Sequence, residues 1–321
     1  MAAQVQVTEQ PLPLNTSFSL KLPTLQIAWD STSLSALKRC PRLYEYSIVR
    51  GYTGRRENIH FAFGIWFHAA LEFYDRAKAK GVPHNAALDE TVRRALIATW
   101  NFKLNRPWTS EEPTKTRETL IRAIVWYLDK FGENDTMQTI IFADGEPAVE
   151  KSFRFEVGLR SHLTDEEYLL CGHIDRLTHF NDRIWIQDRK TTKFALNDNY
   201  FDMYSPDNQV SLYILAGQVV YPEPIRGFVI DAVQTLVEGN RFQRGEVTRT
   251  PSQLDEWVRD LQYWLRQAEV FAHDNYWPQN DKACYGCEFR KVCGASPEVR
   301  EPLLRGLFEQ RVWDPLQTRE V

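Results

Sequence analysis

Two short runs in the middle of the chain hold the residue types that phosphodiester chemistry needs. GlyHisIleAspArg at 172–176 carries Asp175, and IleTrpIleGlnAspArgLysThrThrLys at 184–193 carries Asp188 and Lys190. Both runs read as strands. On a strand, residues two apart point to one face, so Asp188 and Lys190 share it. A short AsnAsp turn at 181–182 joins the runs and lets Asp175 lie beside Asp188. Phosphodiester hydrolysis uses a divalent metal to neutralise the scissile phosphate and acidify a water. Hard cations such as Mg²⁺ prefer oxygen ligands and few protein carboxylates, which Asp175 and Asp188 supply. The Lys190 ammonium would orient the attacking water or stabilise developing negative charge. The plainer reading is a surface ion pair of little energetic weight. The setting weighs against it, because Asp188 follows IleTrpIleGln, an interior-type run where a charge needs a partner or a purpose.

The elements that must position these residues follow from periodicity. Residues 1–30 show no sustained period and read as an extended leader. SerThrSer at 31–33 offers an N-cap to a short helix, and Pro41 bends or restarts it. Trp66, Phe67, Ala70, Leu71 and Tyr74 recur at helical spacing within 63–80. Two more helices are expected near 84–104 and 114–132. Runs at 137–143, 147–157, 167–180 and 183–190 are rich in β-formers and separated by turn signals, as are those near 225–237 and 241–248. Helices are expected around 206–220 and 251–273. The organisation expected is a leader (1–30), a helical lobe (31–135), a core (136–275) and a cysteine-containing tail (276–321) packed back on the N-terminal lobe.

Composition narrows the function classes. Of the 321 residues, 43% are hydrophobic, enough for a sizeable core, and the formal net charge of −4 argues against a protein that simply coats phosphates. No run of about 18 apolar residues exists, so no membrane span is expected, and the N-terminal stretch lacks the form of a secretory signal. A cytoplasmic protein is expected. Five cysteines, an odd number, do not suit a disulfide framework. Cys284, Cys287 and Cys293 have a C-x2-C-x5-C spacing that suggests metal or cluster ligation, one thiolate short of four. Cys40 is the evident fourth, and Cys171, within an apolar strand, reads as a buried inert thiol. Spacing alone leaves zinc and iron–sulfur level.

GlyHisIleAspArg followed by GlnAspArgLysThrThrLys resembles the PD-(D/E)xK nucleases, particularly their RecB-like branch. That branch has a histidine on an upstream helix, matched by His68 in PheGlyIleTrpPheHisAlaAlaLeuGlu, and a Gln-x-x-x-Tyr after the lysine strand, matched by Gln209 and Tyr213. The resemblance covers about residues 31–294. It implies an α/β (α+β) restriction-endonuclease-like core with a mixed central sheet flanked by helices. It implies His68, Asp175, Asp188 and the backbone carbonyl of Arg189 as ligands of Mg²⁺ or Mn²⁺, with Lys190 catalytic. Gln209 and Tyr213 share one helix face and would support the site or contact DNA. Taken alone, His68 on an apolar helix would read as a satisfied core histidine. Glu72, one turn on, is a candidate to hold its ring. Glu150 is a weaker candidate, equally readable as a solvated strand charge.

The resemblance also decides between the cysteine readings. SerLeuSerAlaLeuLysArgCysProArgLeuTyr at 33–44 looks like the upstream cysteine helix of iron–sulfur members, similar to CRISPR-associated RecB-like exonucleases. A [4Fe–4S] cluster on Cys40, Cys284, Cys287 and Cys293 is implied, as a staple of the fold. Arg42, Arg50, Arg55, Arg56, Arg290 and Lys291 flank these cysteines and are candidates for a strand-entry groove. ArgPheGlnArg at 241–244 is a candidate for stacking and phosphate contact. The expected activity is DNA hydrolysis, as an exonuclease on single-stranded ends, with protein partners in recombination, repair or CRISPR adaptation. The alternatives are a non-catalytic DNA-binding subunit of such a complex, and an iron–sulfur electron-transfer protein.

Overall fold

The computed structural model describes residues 17–55, 58–221 and 223–316. The first third runs β1 (Ala28–Trp29), α1 (Ser31–Arg39), α2 (Pro41–Tyr44), β2 (Tyr52–Gly54), α3 (Ile59–Ala79) and α4 (His84–Ala98). Next come β3 (Trp100–Asn101), β4 (Arg106–Pro107), α5 (Arg117–Phe131), β5 (Gln138–Thr139), β6 (Val149–Arg160), β7 (Glu167–Phe180) and β8 (Arg183–Thr192). They are followed by α6 (Asp198–Asp202), α7 (Asn208–Val220), β9 (Ile225–Thr235) and β10 (Asn240–Val247). The chain then forms α8 (Pro251–His273), α9 (Arg290–Cys293), α10 (Pro297–Leu307) and β11 (Phe308–Gln310).

Local chemistry accounts for most boundaries. Asp30 caps α1 in a capping box with Ser33, one residue ahead of the expected SerThrSer cap, because its carboxylate accepts from Ser33 N at 2.9 Å. Pro41 restarts the chain as α2 from its first position. Thr116 with Thr119, and Thr250 with Gln253, form the corresponding boxes of α5 and α8. The helix expected over 84–104 stops at Ala98, and a β3–β4 hairpin takes the remaining residues. Of the strand expected at 137–143, Gln138 and Thr139 pair with His179 and Thr178 of β7, and Ile141 forms an isolated bridge with Pro147.

The fold is mixed α/β, and contacts divide it into two compact units. One comprises Met1–Arg56, Ser152–Gly172 and Thr250–Glu320; the other is essentially Glu57–Lys151 and His173–Arg249. The leader's residues 1–16 lie outside the described residues. Its continuation is built into the first unit, where Ala28 and Trp29 pair in parallel with Leu169 and Leu170. In that unit the C-terminal segment returns to the N-terminal one. β11 pairs antiparallel with β2, Phe289 meets the rings of Tyr46 and Phe308, and Tyr44 lies between Trp29 and Trp277.

The second unit holds the mixed sheet. β7 and β8 pair antiparallel, β8 and β9 parallel, and β9 and β10 antiparallel. The β7–β8 turn sets Asn181 and Asp182 at φ +49° and +55°, the left-handed pair a two-residue hairpin requires. Helices flank this sheet. α3, α4 and α5 share a core of Phe63, Phe67, Leu71, Leu120, Ile124 and Tyr127. α7 packs close to β8 and β9: a Cβ on Gly217 would stand 2.6 Å from Ile225 Cγ1 and 3.2 Å from Ile186 Cδ1. No helix among the described residues is long and apolar enough to cross a membrane.

Lys115 is an energetic debt within this unit. It is 1% exposed, its ammonium has no hydrogen-bond partner, and it lies 4.1 Å over the Phe63 ring. Burial pushes its pKa down to about 8, against the pull of Glu112. The folded chain therefore binds fewer protons than the unfolded one between pH 8 and the ordinary lysine range. The cost is full below pH 8 and fades as pH rises through that window. Lys115→Met is expected to stabilise the protein at pH 7 by about 1–3 kcal/mol, since a shift of that size corresponds to roughly 3 kcal/mol. Thermal melts at pH 7 and pH 9.5 check this; the gain should shrink at the higher pH.

Candidate active site

The β7–β8 hairpin brings the two motif runs together. Arg176 pairs with Gln187, so Asp175 stands one step on, beside Asp188, and the backbone N–H of Arg189 donates to Asp175 Oδ2 at 3.0 Å. Strand alternation sorts β8 cleanly. Asp188 and Lys190 face α7, while Gln187 and Arg189 face the opposite side, toward α5. Helix α3 brings His68, whose Nδ1 is 3.1 Å from Asp175 Oδ2. Helix α7, capped by Asp207, brings Gln209. Its Oε1 accepts from Lys190 Nζ at 3.0 Å, and its Nε2 donates to Asp188 Oδ1 at 3.3 Å.

Lys190 Nζ also lies 2.7 Å from Asp188 Oδ2 as an ion pair, yet that oxygen is buried without a hydrogen bond of proper alignment. Glu150 completes the cluster: single ligand atoms of His68, Glu150 and Asp175 all lie within 4.8 Å of one another. Glu150, the second residue of β6, has φ +48°, a left-handed conformation unusual for a side-chain-bearing residue.

The electrostatics are those of crowded, buried acids. Burial, with Asp175 nearby, pushes Asp188 up to about 6 despite the pull of Lys190. Burial also works to raise Asp175, but His68, Lys190 and the Arg189 N–H outweigh it and hold it down at about 2. Burial alone would depress His68; Asp175 more than compensates and raises it. The two carboxylates and one imidazole of Glu150, Asp175 and His68 form a donor set suited to a hard divalent cation, whereas Asp188 lies outside that group and pairs with Lys190. The residues fit a metal because single ligand atoms of His68, Glu150 and Asp175 gather within one coordination-sized space.

A model of the PD-(D/E)XK nuclease superfamily matches residues 29–294. The chain belongs to that superfamily. PD-(D/E)XK nucleases use divalent metals, in keeping with the donor set above. No curated protein matches. Among solved structures, a candidate exonuclease from Eubacterium rectale is similar at 10% identity and TM-score 0.48, over 91% of this chain and 98% of its own. The structure of SSO0001 is similar at 13% identity and TM-score 0.34, over 84% and 86%. Both scores are too low to carry a functional argument, and family membership stands on the superfamily match.

Three other candidates, Tyr213, Glu72 and the 241–244 segment, stand apart from the ligand cluster. Tyr213, i+4 from Gln209, is buried and its ring centroid is 6.0 Å from that of Phe228. Glu72 is drawn away from His68: its Oε1 accepts from Arg76 Nε at 2.8 Å, and Asp175 meets the His68 ring instead. Of ArgPheGlnArg at 241–244, Phe242 and Arg244 are taken up by the fold, while Arg241 and Gln243 are exposed. Arg244 is held by Asp135 and Asp231, and Phe242 packs on Tyr127 and Phe131.

Cys40, Cys284, Cys287 and Cys293 all fall in the first unit, with free thiols. Asn280 N–H donates to Cys40 Sγ at 3.3 Å, its side chain donates to Arg39 O at 2.9 Å, and Arg42 N–H donates to Pro278 O at 3.1 Å. Burial raises the Cys293 thiol, and the charges of Cys287 and Cys40 add to the rise. Cys40, Cys287 and Cys293 are thus near enough for charge on one to act on another, and none of the five cysteines is in a disulfide. Cys171 is buried, with its thiol 3.5 Å from Trp29 O. The flanking arginines act as ties: Arg50 pairs with Glu301, Arg55 donates to the Phe308 and Arg305 carbonyls, and Arg42 donates to Trp277 O and Gln279. Arg56 lies outside the described residues.

Proposed function

We propose that the protein is a Mg²⁺- or Mn²⁺-dependent deoxyribonuclease that works as an exonuclease on single-stranded DNA ends. The observation that carries the catalytic reading is Gln209, which holds Asp188 with one end of its amide and Lys190 with the other. A flexible lysine is thereby fixed beside a buried acid, which a surface ion pair does not need. His68, Asp175, Asp188 and the Arg189 carbonyl would hold the cation, with Glu150 joining them. When bound, it neutralises the scissile phosphate and lowers the pKa of a water. Asp175 keeps the imidazole oriented, and the Arg189 N–H keeps Asp175 oriented. Lys190 places its ammonium where negative charge develops on the phosphoryl oxygens.

Exposed apolar side chains support a single-stranded substrate. Phe61 and Ile65 lie on the His68 face of α3, two turns and one turn before it, and are 70% and 50% exposed. Gly64 approaches Thr191, and three residues past Thr191 stands Phe194, 68% exposed. Helix and strand thus lead away from the acids toward these rings. Unstacked bases attached to the scissile strand have the flat apolar faces that such rings bind. Phe61→Ala and Phe194→Ala are each expected to raise KM for single-stranded DNA about 5- to 100-fold and leave kcat within a few-fold. Steady-state kinetics on a labelled oligonucleotide measure both.

The four cysteines would hold a [4Fe–4S] cluster that ties the two ends of the first unit together. The nuclease reading is tested on end-labelled linear DNA and covalently closed single-stranded circles with Mg²⁺ or Mn²⁺. Linear strands should be degraded and circles spared. Cutting of circles would replace the exonuclease reading with an endonuclease one, and no cutting of either would leave a non-catalytic DNA-binding subunit.

A further inference from the structure

We infer that Asp75 is a positioning residue for the metal centre, acting through Arg189. The inference rests on the nuclease reading above. The two elements that carry the expected ligands, α3 and β8, are joined behind the site by one buried ion pair. Arg189 Nη2 lies 2.8 Å from Asp75 Oδ2, with side-chain exposures of 4% and 8%. Asp75 sits seven residues after His68 on α3, and Arg189 lies between Asp188 and Lys190 on β8. Their contact therefore sets how closely the histidine helix approaches the acid strand.

Arg189 serves both faces of the sheet. Its backbone N–H holds Asp175 Oδ2 on the metal side at 3.0 Å, while its side chain is anchored on the far side. That far side is a buried charge network, in which Asp75 Oδ2 meets Arg189 as an ion pair without an aligned hydrogen bond. Arg189 Nε donates to Tyr127 OH at 3.4 Å, and Tyr127 OH donates to Asp231 Oδ2 at 2.5 Å. Gln187 and Arg244 also donate to Asp231, Arg244 grips Asp135, and Arg176 reaches Asp135 and Gln187. Three arginines balance three aspartates there. A cavity of about 400 Å³ lined by Asp75, Arg176, Arg189 and Tyr127 adjoins the network. Asp75 Oδ2 also stands 4.0 Å from Arg176 Nε, so beside the apolar core of α3 its main ionic tie to β8 is Arg189 at 2.8 Å. None of these groups reaches the face that carries Asp188 and Lys190, so the effect must travel through the position of β8.

Partners that orient metal ligands typically change metal affinity 10- to 100-fold when removed. The test is Mn²⁺ titration of the nuclease-competent full chain, followed by electron paramagnetic resonance, with kcat, KM and melting temperature measured in parallel. Asp75→Asn should weaken Mn²⁺ binding by that factor and leave KM for DNA unchanged, with most of the rate recovered at saturating Mn²⁺. Leu120→Ala, a core truncation on α5 away from the pair, should lower the melting temperature without moving Mn²⁺ affinity. Wild-type affinity in Asp75→Asn, or an equal loss in Leu120→Ala, overturns the inference. If Asp75→Asn does not fold, Asp75→Glu decides: it keeps the charge but lengthens the link, and should weaken Mn²⁺ about 3- to 10-fold, whereas unchanged affinity rejects the role. A wild type that binds no Mn²⁺ sinks the metal centre and this inference together.

Discussion

Lys190→Ala should lower single-turnover DNA cleavage at saturating Mn²⁺ by about 10³-fold, with the melting temperature nearly unchanged. The size follows from what the ammonium does. A preorganised donor aimed at developing charge in a water-poor site is worth about 10²–10³ in rate, and Lys190 is held in place by Gln209 at 3.0 Å. Asp188→Asn should be at least as severe, because it removes both a cation ligand and the partner of Lys190. Gln209→Ala offers a graded control. The lysine and the acid remain but lose their common brace, so a loss of about 10- to 100-fold is expected. Lys193→Ala, three residues along and paired with Glu112, should cut nearly as well as the wild type. Equal cleavage by wild type and Lys190→Ala would show that the strand pair is not the catalytic centre.

Cys40→Ala, or Cys287→Ala, should strip colour and iron from the protein and lower its melting temperature by about 10 °C. Cys40 and the C-terminal triplet are separated by most of the chain. On the chain-entropy model, a link closing a loop of about 240 residues contributes roughly 5 kcal/mol, and each kcal/mol moves a domain of this size by about 2–4 °C. Anaerobic purification, iron and sulfide analysis and a visible spectrum measure the first effect, and thermal melts the second. Limited proteolysis should then release the segment bearing β11, whose pairing with β2 depends on the same return of the chain. Cys171→Ser should retain iron, since that thiol is buried against Trp29 O. A colourless protein containing zinc would replace the cluster with a single-metal staple and leave the nuclease reading untouched. An unchanged melting temperature in both variants would remove the staple altogether.

The two predictions concern different metals and different units of the fold. The proposed hydrolytic centre lies in the unit with the mixed sheet, and the cysteines in the unit that holds Cys40 and the 284–293 triplet. Loss of iron is therefore expected first as loss of stability, whereas loss of Lys190 is expected as loss of rate.

The sequence by itself determined the elements and the hairpin at the centre of the site. The expected α8 span of 251–273 is the observed one, and β7 occupies the expected 167–180. Period, caps and turn residues are short-range properties, so local sequence carries them. Asp175, Asp188 and Lys190 were legible for the same reason: alternation along two strands joined by a tight turn leaves little freedom in where they point.

Tertiary structure decided the partners. Glu150 joins His68 and Asp175 because β6 begins at that cluster in a left-handed conformation that its residue type does not announce. Glu72 is on the helix that carries His68, yet its carboxylate is taken by Arg76. Arg244, a nucleic-acid candidate by composition, is half-buried and held between Asp135 and Asp231. Asp75 gained its place only because α3 lies against β8. A buried charge takes the partner that packing brings within reach, and packing joins residues that are far apart in the chain.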